Sequence, residues 1–311
     1  METRQLGRSD LRITRLGVGA WAMGGGDWKF GWGHQDDADS VAAIHRALDL
    51  GINWIDTAAV YGLGHSEEVV ARAIRGRSPR PYIFTKCGRV FIDGQPTTIL
   101  TEASLRKELE ASLKRLGVDV IDLYQVHWPN ETQVEEGWRT LAKFQAEGKV
   151  RHLGVSNFNV AQLEQAEAIA SVTSLQPPYS LMVRGVEAEV LPWCLRHNVG
   201  VINYAPMASG LLSGRMTRER FAALPAEDWR RNGVNFQEPN FSRGLALVEA
   251  LKPIAAKHGT TPGVVAIAWT LANPAVTAAI VGVRNAAQMD ELLPAASLKL
   301  TADDMATIAA A

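Results

Sequence analysis

Trp54-Ile55-Asp56-Thr57-Ala58-Ala59-Val60-Tyr61 opens as an apolar run, stops at an acid and reaches a phenol five residues later. The same shape recurs downstream. Tyr82-Ile83-Phe84-Thr85 runs into Lys86, and Ile121-Asp122-Leu123-Tyr124-Gln125-Val126 closes on His127. An apolar run ending abruptly in a titratable side chain leaves that group at the rim of a sheet, where parallel α/β proteins hold their active sites. Asp56, Tyr61, Lys86 and His127 are therefore the candidate catalytic residues. A free phenol, with a pKa near ~10, is a poor acid at neutral pH. A nearby ammonium favours the phenolate and lowers that value, so Lys86 would tune Tyr61 and Asp56 would hold Lys86 in place. His127 would orient a carbonyl oxygen and stabilise the charge growing on it. Singly, each has an ordinary structural reading: a packed Tyr, half of an ion pair, a satisfied core His. Together at successive strand ends, they point to proton donation to a carbonyl under hydride attack.

Outward from these segments, strand-like and helix-like stretches alternate. The apolar runs are 13–20, 52–55, 82–85, 120–126, 152–155, 172–176, 199–204 and 276–281, and their near-continuous apolarity suits strands buried on both faces. Leu105, Leu109, Leu113 and Leu116 share one helical face between two of them. Helix starts are marked by Asp36-Asp37, by Ser66 before Glu67-Glu68 and by Thr261-Pro262; Asn159 with Gln162 and Thr301 with Asp304 are spaced as capping boxes. Eight strand signals with intervening helices fit a (β/α)8 TIM barrel, one domain over residues 1–311 with its loops at the C-terminal rim. An open doubly wound sheet is the rival, but it would gather its site at one switch point instead of spreading it along the chain. Residues 208–243, rich in Pro, Gly, Arg and Asn, form a long irregular loop of a functional or partly helical kind.

The 311 residues are 47% hydrophobic and 21% charged with a net charge of −1, the composition of a globular enzyme-sized domain and no argument for nucleic acid or an anionic membrane. No apolar run reaches membrane-spanning length, and residues 1–15 contain no secretory signal. Cys87 and Cys194 make neither a disulfide framework nor a metal spacing, which points to a reducing cytoplasm and no metal. A small-molecule substrate and a monomer are the expectation.

Gly17-Val18-Gly19-Ala20-Trp21-Ala22 nearly spells a dinucleotide fingerprint, but Gly24-Gly25-Gly26 and a Trp-rich loop follow where a helix should, so a Rossmann reading fails. Val281-Gly282-Val283-Arg284-Asn285 leads instead from the last strand into a helix with Gln288 at its third position. A helix start with an adjacent Arg, after the last barrel strand, is an anion site or else an Asn cap beside a solvated Arg. Trp21, Trp28, Trp32 and Trp128 fall in rim loops with Gly-rich, polar neighbours and predict an aromatic substrate pocket.

At this point the chain resembles the aldo-keto reductases over nearly its whole length. The carrying segments are Leu16–Trp21, Ile55–Gly62, Ile121–His127, Gly148–Arg151, Gly154–Phe158 and Tyr204–Gly210. Gln176–Tyr179, His127–Pro129 and Gly282–Arg284 are most similar to the bacterial general-stress and inositol-operon branch. The resemblance implies an NADP(H)-dependent oxidoreductase that reduces an aldehyde or ketone reversibly, with Asp56, Tyr61, Lys86 and His127 as its catalytic tetrad. It further implies that Ser156, Asn157 and Gln176 hold the nicotinamide carboxamide, that Tyr204 stacks on the ring beside Trp21, and that Pro206, Met207, Ser209, Gly210 and Leu211 line the pyrophosphate. Gly282, Arg284, Gln288 and Glu291 would hold the adenosine end and its 2′-phosphate, and 208–243 would fold over the cofactor. Gly282 stands where the family often has a basic residue, and Leu292 where it has Asn.

Two other functions fit parts of this pattern. A nucleotide-sensing subunit resembling the β-subunits of potassium channels would share fold and tetrad, but would call for terminal extensions or an apolar docking patch. A Schiff-base aldolase could use Lys86 as its nucleophile, but has no need of a phenol held five residues after Asp56.

Overall fold

The computed structural model describes residues 1–26, 28–226 and 228–311; Glu227, inside the expected covering loop, lies outside them. Eight parallel strands close into a barrel. In chain order they are β3 (Leu16–Gly19), β4 (Trp54–Asp56), β5 (Tyr82–Cys87), β8 (Ile121–Val126), β9 (Val150–Ser156), β10 (Ser174–Gln176), β11 (Gly200–Asn203) and β12 (Val276–Gly282). The ring shuts where β12 pairs with β3, Ile280 opposite Gly17 and Gly282 opposite Gly19. This is the TIM barrel expected, and the open sheet is excluded.

Two antiparallel hairpins stand outside the ring. β1 (Thr3–Gln5) pairs with β2 (Arg12–Thr14), and β6 (Arg89–Ile92) with β7 (Gln95–Thr98). The apolar run 13–20 is therefore two strands, not one. Arg15 breaks it: its buried guanidinium donates to the carbonyls of Val276 at 2.9 Å and Thr277 at 2.7 Å, anchoring the turn to β12.

Period-two alternation sorts the barrel interior into layers. Leu6, Leu11 and Ile13 from the first hairpin join Trp54, Phe84, Leu123, Ile202 and Ala278 in an apolar plug. Two residues beyond Trp54, Phe84 and Leu123 the inward positions turn polar, at Asp56, Lys86 and Gln125, and Gln176 at the end of β10 joins them, all buried. The plug fills the lower barrel, so the polar layer forms the floor of whatever lies above it. Helices cover the outer face of the strands in a second, larger apolar core.

The local signals behave as their chemistry requires. Asp36 caps the helix Asp37–Asp49 by accepting from the Ala38 amide, and both capping boxes form. Pro262 takes the first position of Pro262–Ala272. Ser66 does not cap. The helix starts at His65, and the Ser66 hydroxyl donates to the Ala20 carbonyl at 2.8 Å, tying that helix to the loop after β3. Among its described residues, the stretch 208–243 holds a short helix, Arg218–Ala222, and three single 3-10 turns. It ends earlier than expected, because 240–243 already belong to the helix Asn240–Lys257. Among the described residues no helix is long and apolar enough to cross a membrane.

Candidate active site

Above the polar layer opens a cavity of about 610 Å³. Its floor is built by hydrogen bonds that use every donor of one lysine. Lys86 Nζ donates to Asp56 Oδ1 at 2.5 Å, to the Thr57 carbonyl at 3.0 Å and to the Tyr61 phenol oxygen at 3.3 Å. An ammonium has three N–H groups, so none remains. Asp56 Oδ2 in turn accepts from the amides of Gln176 at 2.8 Å and Gln125 at 3.2 Å. With its oxygen accepting from Lys86, Tyr61 keeps its own proton for an acceptor in the cavity. The His127 ring stands edge-on to Tyr61, centroids 5.6 Å apart and planes at 82°, and both line the cavity.

Glycine places the phenol. Gly62 has φ 56°, and a Cβ there would sit 2.0 Å from the Gly24 carbonyl oxygen. The loops after β3 and β4 thus touch backbone to backbone, which brings Trp21 into a stack with Tyr61 at 6.2 Å.

The electrostatics correct one expectation. Lys86 does not lower the phenol: burial pushes Tyr61 well above its ordinary value, and the Asp56 carboxylate adds to that. The reason is the 2.5 Å ion pair, which balances the ammonium's charge locally. Burial lowers Lys86 despite Asp56. Burial, then the charges of Lys86 and Arg89, hold His127 well below the usual imidazole range. At neutral pH the site therefore presents a protonated phenol and an uncharged imidazole, two neutral donors facing one cavity.

Trp21, Trp28, Trp32 and Trp128 line that cavity with Phe30 and Val60. Trp128 is 42% exposed, at the mouth. Ser156, Asn157, Gln176, Tyr204, Pro206, Met207, Ser209, Gly210, Gly282, Arg284, Gln288 and Glu291 line it as well. Leu211 does not: its side chain is fully buried, 2.4 Å from where a Cβ on Gly244 would stand. The Asn157 carboxamide is held on both sides, its nitrogen donating to the His127 carbonyl at 3.0 Å and its oxygen accepting from Tyr204 Oη at 2.9 Å. Arg284 is not a solvated cation; its Nε donates to Gln35 Oε1 at 2.6 Å and a terminal nitrogen to the His34 carbonyl. Asn285 caps the following helix by accepting from the Gln288 amide at 3.0 Å.

Sequence reasoning missed Gln125, Trp229 and the loop arginines. Gln125 was legible, because it lies two residues before His127 on the same inward face. Trp229 was not; it stacks on Trp21 at 5.2 Å from within the irregular stretch.

The cavity suits a large, flat-ringed polyanion. Among the described residues Arg89, Arg215, Arg220, Arg230 and Arg284 line it, against the carboxylates of Asp56 and Glu291. Ala208, Ser209 and Gly210 are successive left-handed residues, φ 48°, 57° and 90°, a tight turn in which the Ala208, Gly210 and Leu211 amides donate to the Ala205, Met207 and Ala208 carbonyls. Gly210 and Gly282 face open space where a Cβ would meet nothing within 4 Å.

A closed barrel with a phenol–lysine–aspartate chain and a neutral histidine under an arginine-lined cleft defines a carbonyl-processing oxidoreductase. The profile of the Aldo/keto reductase family matches residues 15–311, and the chain belongs to that family. It is 35% identical over 312 residues to the aldo-keto reductase YhdN of Bacillus subtilis (strain 168), covering 99% of this chain and 92% of that one. It is 32% identical over 321 residues to the NADH-specific methylglyoxal reductase of Escherichia coli (strain K12), covering 98% and 96%. The glycerol dehydrogenase AKR11B4 from Gluconobacter oxydans superposes with a TM-score of 0.90 at 36% identity, covering 99% and 94%. The protein is thus an oxidoreductase of the aldo/keto reductase family. The channel-subunit and aldolase readings gain no support. Lys86 is 1% exposed behind Asp56 and Tyr61 with every N–H engaged, which leaves a Schiff base no opening.

Proposed function

We propose that this chain reduces aldehydes or ketones of partly apolar, aromatic-compatible shape, with Tyr61 as proton donor and Asp56, Lys86 and His127 completing the tetrad. The observation that carries the reading is the hydrogen-bond chain Gln176–Asp56–Lys86–Tyr61, which fills the phenol's oxygen and leaves its proton facing the cavity. His127, neutral, donates to the same carbonyl oxygen and fixes it toward Tyr61. As negative charge grows on that oxygen, its rising basicity draws the proton from the phenol across their hydrogen bond. The proton left behind on the alcohol comes from Tyr61, and Lys86 steadies the phenolate until it is reprotonated. NADPH, when bound, supplies the hydride.

Ser156, Asn157 and Gln176 would hold the nicotinamide carboxamide, and Tyr204 and Trp21 the faces around it. Pro206, Met207, Ser209 and Gly210 would take the pyrophosphate, and Gly282, Arg284, Gln288 and Glu291 the adenosine end. Leu211 contributes only through its packing. Residues 208–243 would close over the cofactor as part of one domain spanning 1–311. The protein acts as a monomer in the cytoplasm, where its two buried free cysteines stay reduced. It has no nucleic-acid partner.

Tyr61→Phe tests the assignment, since it removes the hydroxyl and keeps the ring. Turnover of an aldehyde with NADPH should fall about 10²-fold or more, the range lost with a general acid, while NADPH affinity stays near wild type. Retention of most turnover, with hydride transfer rate-limiting, would remove Tyr61 from the donor role.

A further inference from the structure

Arg89 is the one arginine of the cavity that stands apart from the loop 208–243 and the last strand. It opens β6 three residues after Lys86, and it lines the cavity together with His127, Trp128, Trp28 and Pro96. Its guanidinium lies 5.9 Å from the Trp128 ring centroid, and Nη1 donates to Thr98 Oγ1 at 2.9 Å across the hairpin. Those contacts hold the head group in place and use one of its five N–H donors.

Three of the other arginines around the cavity are held by partners, and Arg220, within the loop 208–243, makes a long hydrogen bond to the Arg215 carbonyl at 3.4 Å. Arg230 is forked onto Asp228 at 2.9 and 2.6 Å, Arg215 pairs with Glu291, and Arg284 is held by Gln35 and His34. Among the described residues no carboxylate forms an ion pair with Arg89. A half-buried guanidinium without a counter-charge is costly to keep, and burial depresses its pKa. Its charge also reaches His127, which it helps to keep neutral. A fixed guanidinium fork matches a planar carboxylate better than any neutral group, and this one sits on the same wall as the groups that meet the carbonyl.

We propose that Arg89 is a specificity residue that selects carbonyl substrates carrying a carboxylate, binding that anion while Tyr61 and His127 engage the carbonyl oxygen. The proposal rests on the reading of Tyr61 and His127 given above. The aromatic walls then hold the carbon skeleton between the two polar ends.

The test compares substrates that differ only in charge. 3- and 4-carboxybenzaldehyde are each set against their methyl esters, with wild type, Arg89→Gln and Arg89→Lys. Wild type should favour at least one free acid over its ester by about tenfold in kcat/KM, the scale of a charge-assisted hydrogen bond. Arg89→Gln should abolish that preference by lowering only the acid, and Arg89→Lys should restore part of it. Equal losses on acid and ester in Arg89→Gln, or no preference in wild type, would reduce Arg89 to a brace between Trp128 and the hairpin. Turnover of the esters by wild type keeps the carbonyl-reductase reading intact in either case. Binding is read independently from the tryptophans that share this wall. Benzoate should quench fluorescence in wild type with a Kd about tenfold lower than in Arg89→Gln, and benzamide should not discriminate; equal benzoate affinities would overturn the proposal whether or not any aldehyde turns over.

Discussion

At the scale of single residues, the tetrad is a problem of keeping charge buried. Asp56 and Lys86 are 3% and 1% exposed and lie in the floor of the cavity. Two amides, a backbone carbonyl and a phenol oxygen complete their coordination. Breaking such a pair strands one charge, which typically costs ~3–5 kcal/mol. Lys86→Met should therefore destabilise the fold by about that amount in denaturant titrations at pH 7, and Asp56→Asn added to it should recover a large part. A loss within ~1 kcal/mol would mean that water reaches the pair and that the floor is not the dry layer described. The variant should also lose carbonyl-reductase turnover, since nothing else donates to the phenol oxygen.

Elements decide which way each of these residues looks. On β5, Lys86 points into the barrel and Cys87 points out, toward the helix Glu102–Leu116. There the Glu108 carboxylate accepts from the Gly88 amide through both oxygens, at 3.0 and 3.2 Å, and so clamps the junction between β5 and the β6–β7 hairpin. Burial raises Glu108 to about 7. A carboxyl raised in the folded state holds its proton more tightly there than in the unfolded chain. The folded state is thus favoured below the unfolded pKa, and loses that advantage as pH rises from about 4.5 to about 7. Glu108→Gln removes the titration and leaves an amide oxygen for Gly88. Relative to the variant, wild type should lose up to roughly 3 kcal/mol of unfolding free energy between pH 4.5 and pH 8. Unfolding curves at the two pH values check this; a pH-independent difference between wild type and variant would show that Glu108 titrates normally.

Across the whole molecule, the site exists because the barrel closes. β12 pairs with β3, and this puts Arg284, near the end of the chain, against Gln35 and His34 near its start. Gln35 Nε2 returns a hydrogen bond to the Arg284 carbonyl at 2.8 Å. Arg284 is therefore both a wall of the cavity and a clasp across the closing seam. Arg284→Ala should weaken NADPH binding about tenfold or more if the guanidinium meets the 2′-phosphate, with a much smaller effect on NADH. Fluorescence titration with both cofactors separates the roles. Equal weakening for the two would assign Arg284 to the clasp alone and leave the phosphate to Arg215, Arg220 or Arg230.

The sequence by itself determined the barrel and which four titratable side chains meet at its rim. Runs that are apolar on both faces, broken by amphipathic helices, allow few other folds. A titratable residue at the end of such a run can only sit at the rim or on the layer beneath it. Asp56, Lys86, Tyr61 and His127 were legible for that reason, as were the caps at Asp36, Asn159 and Thr301, whose hydrogen bonds span three residues or fewer. The long irregular stretch was legible as a loop, but not its contacts. Only the tertiary structure decided that Trp229 stacks on Trp21, that Gly62 rests on Gly24, that Leu211 turns into the core, and that Arg89 is left without a counter-charge beside His127. These facts depend on pairs far apart in the chain, and no local periodicity encodes them. The state of the phenol belongs with them. An ammonium three angstroms away reads as a strong perturbation in one dimension, until folding sets a carboxylate against it and removes both from water.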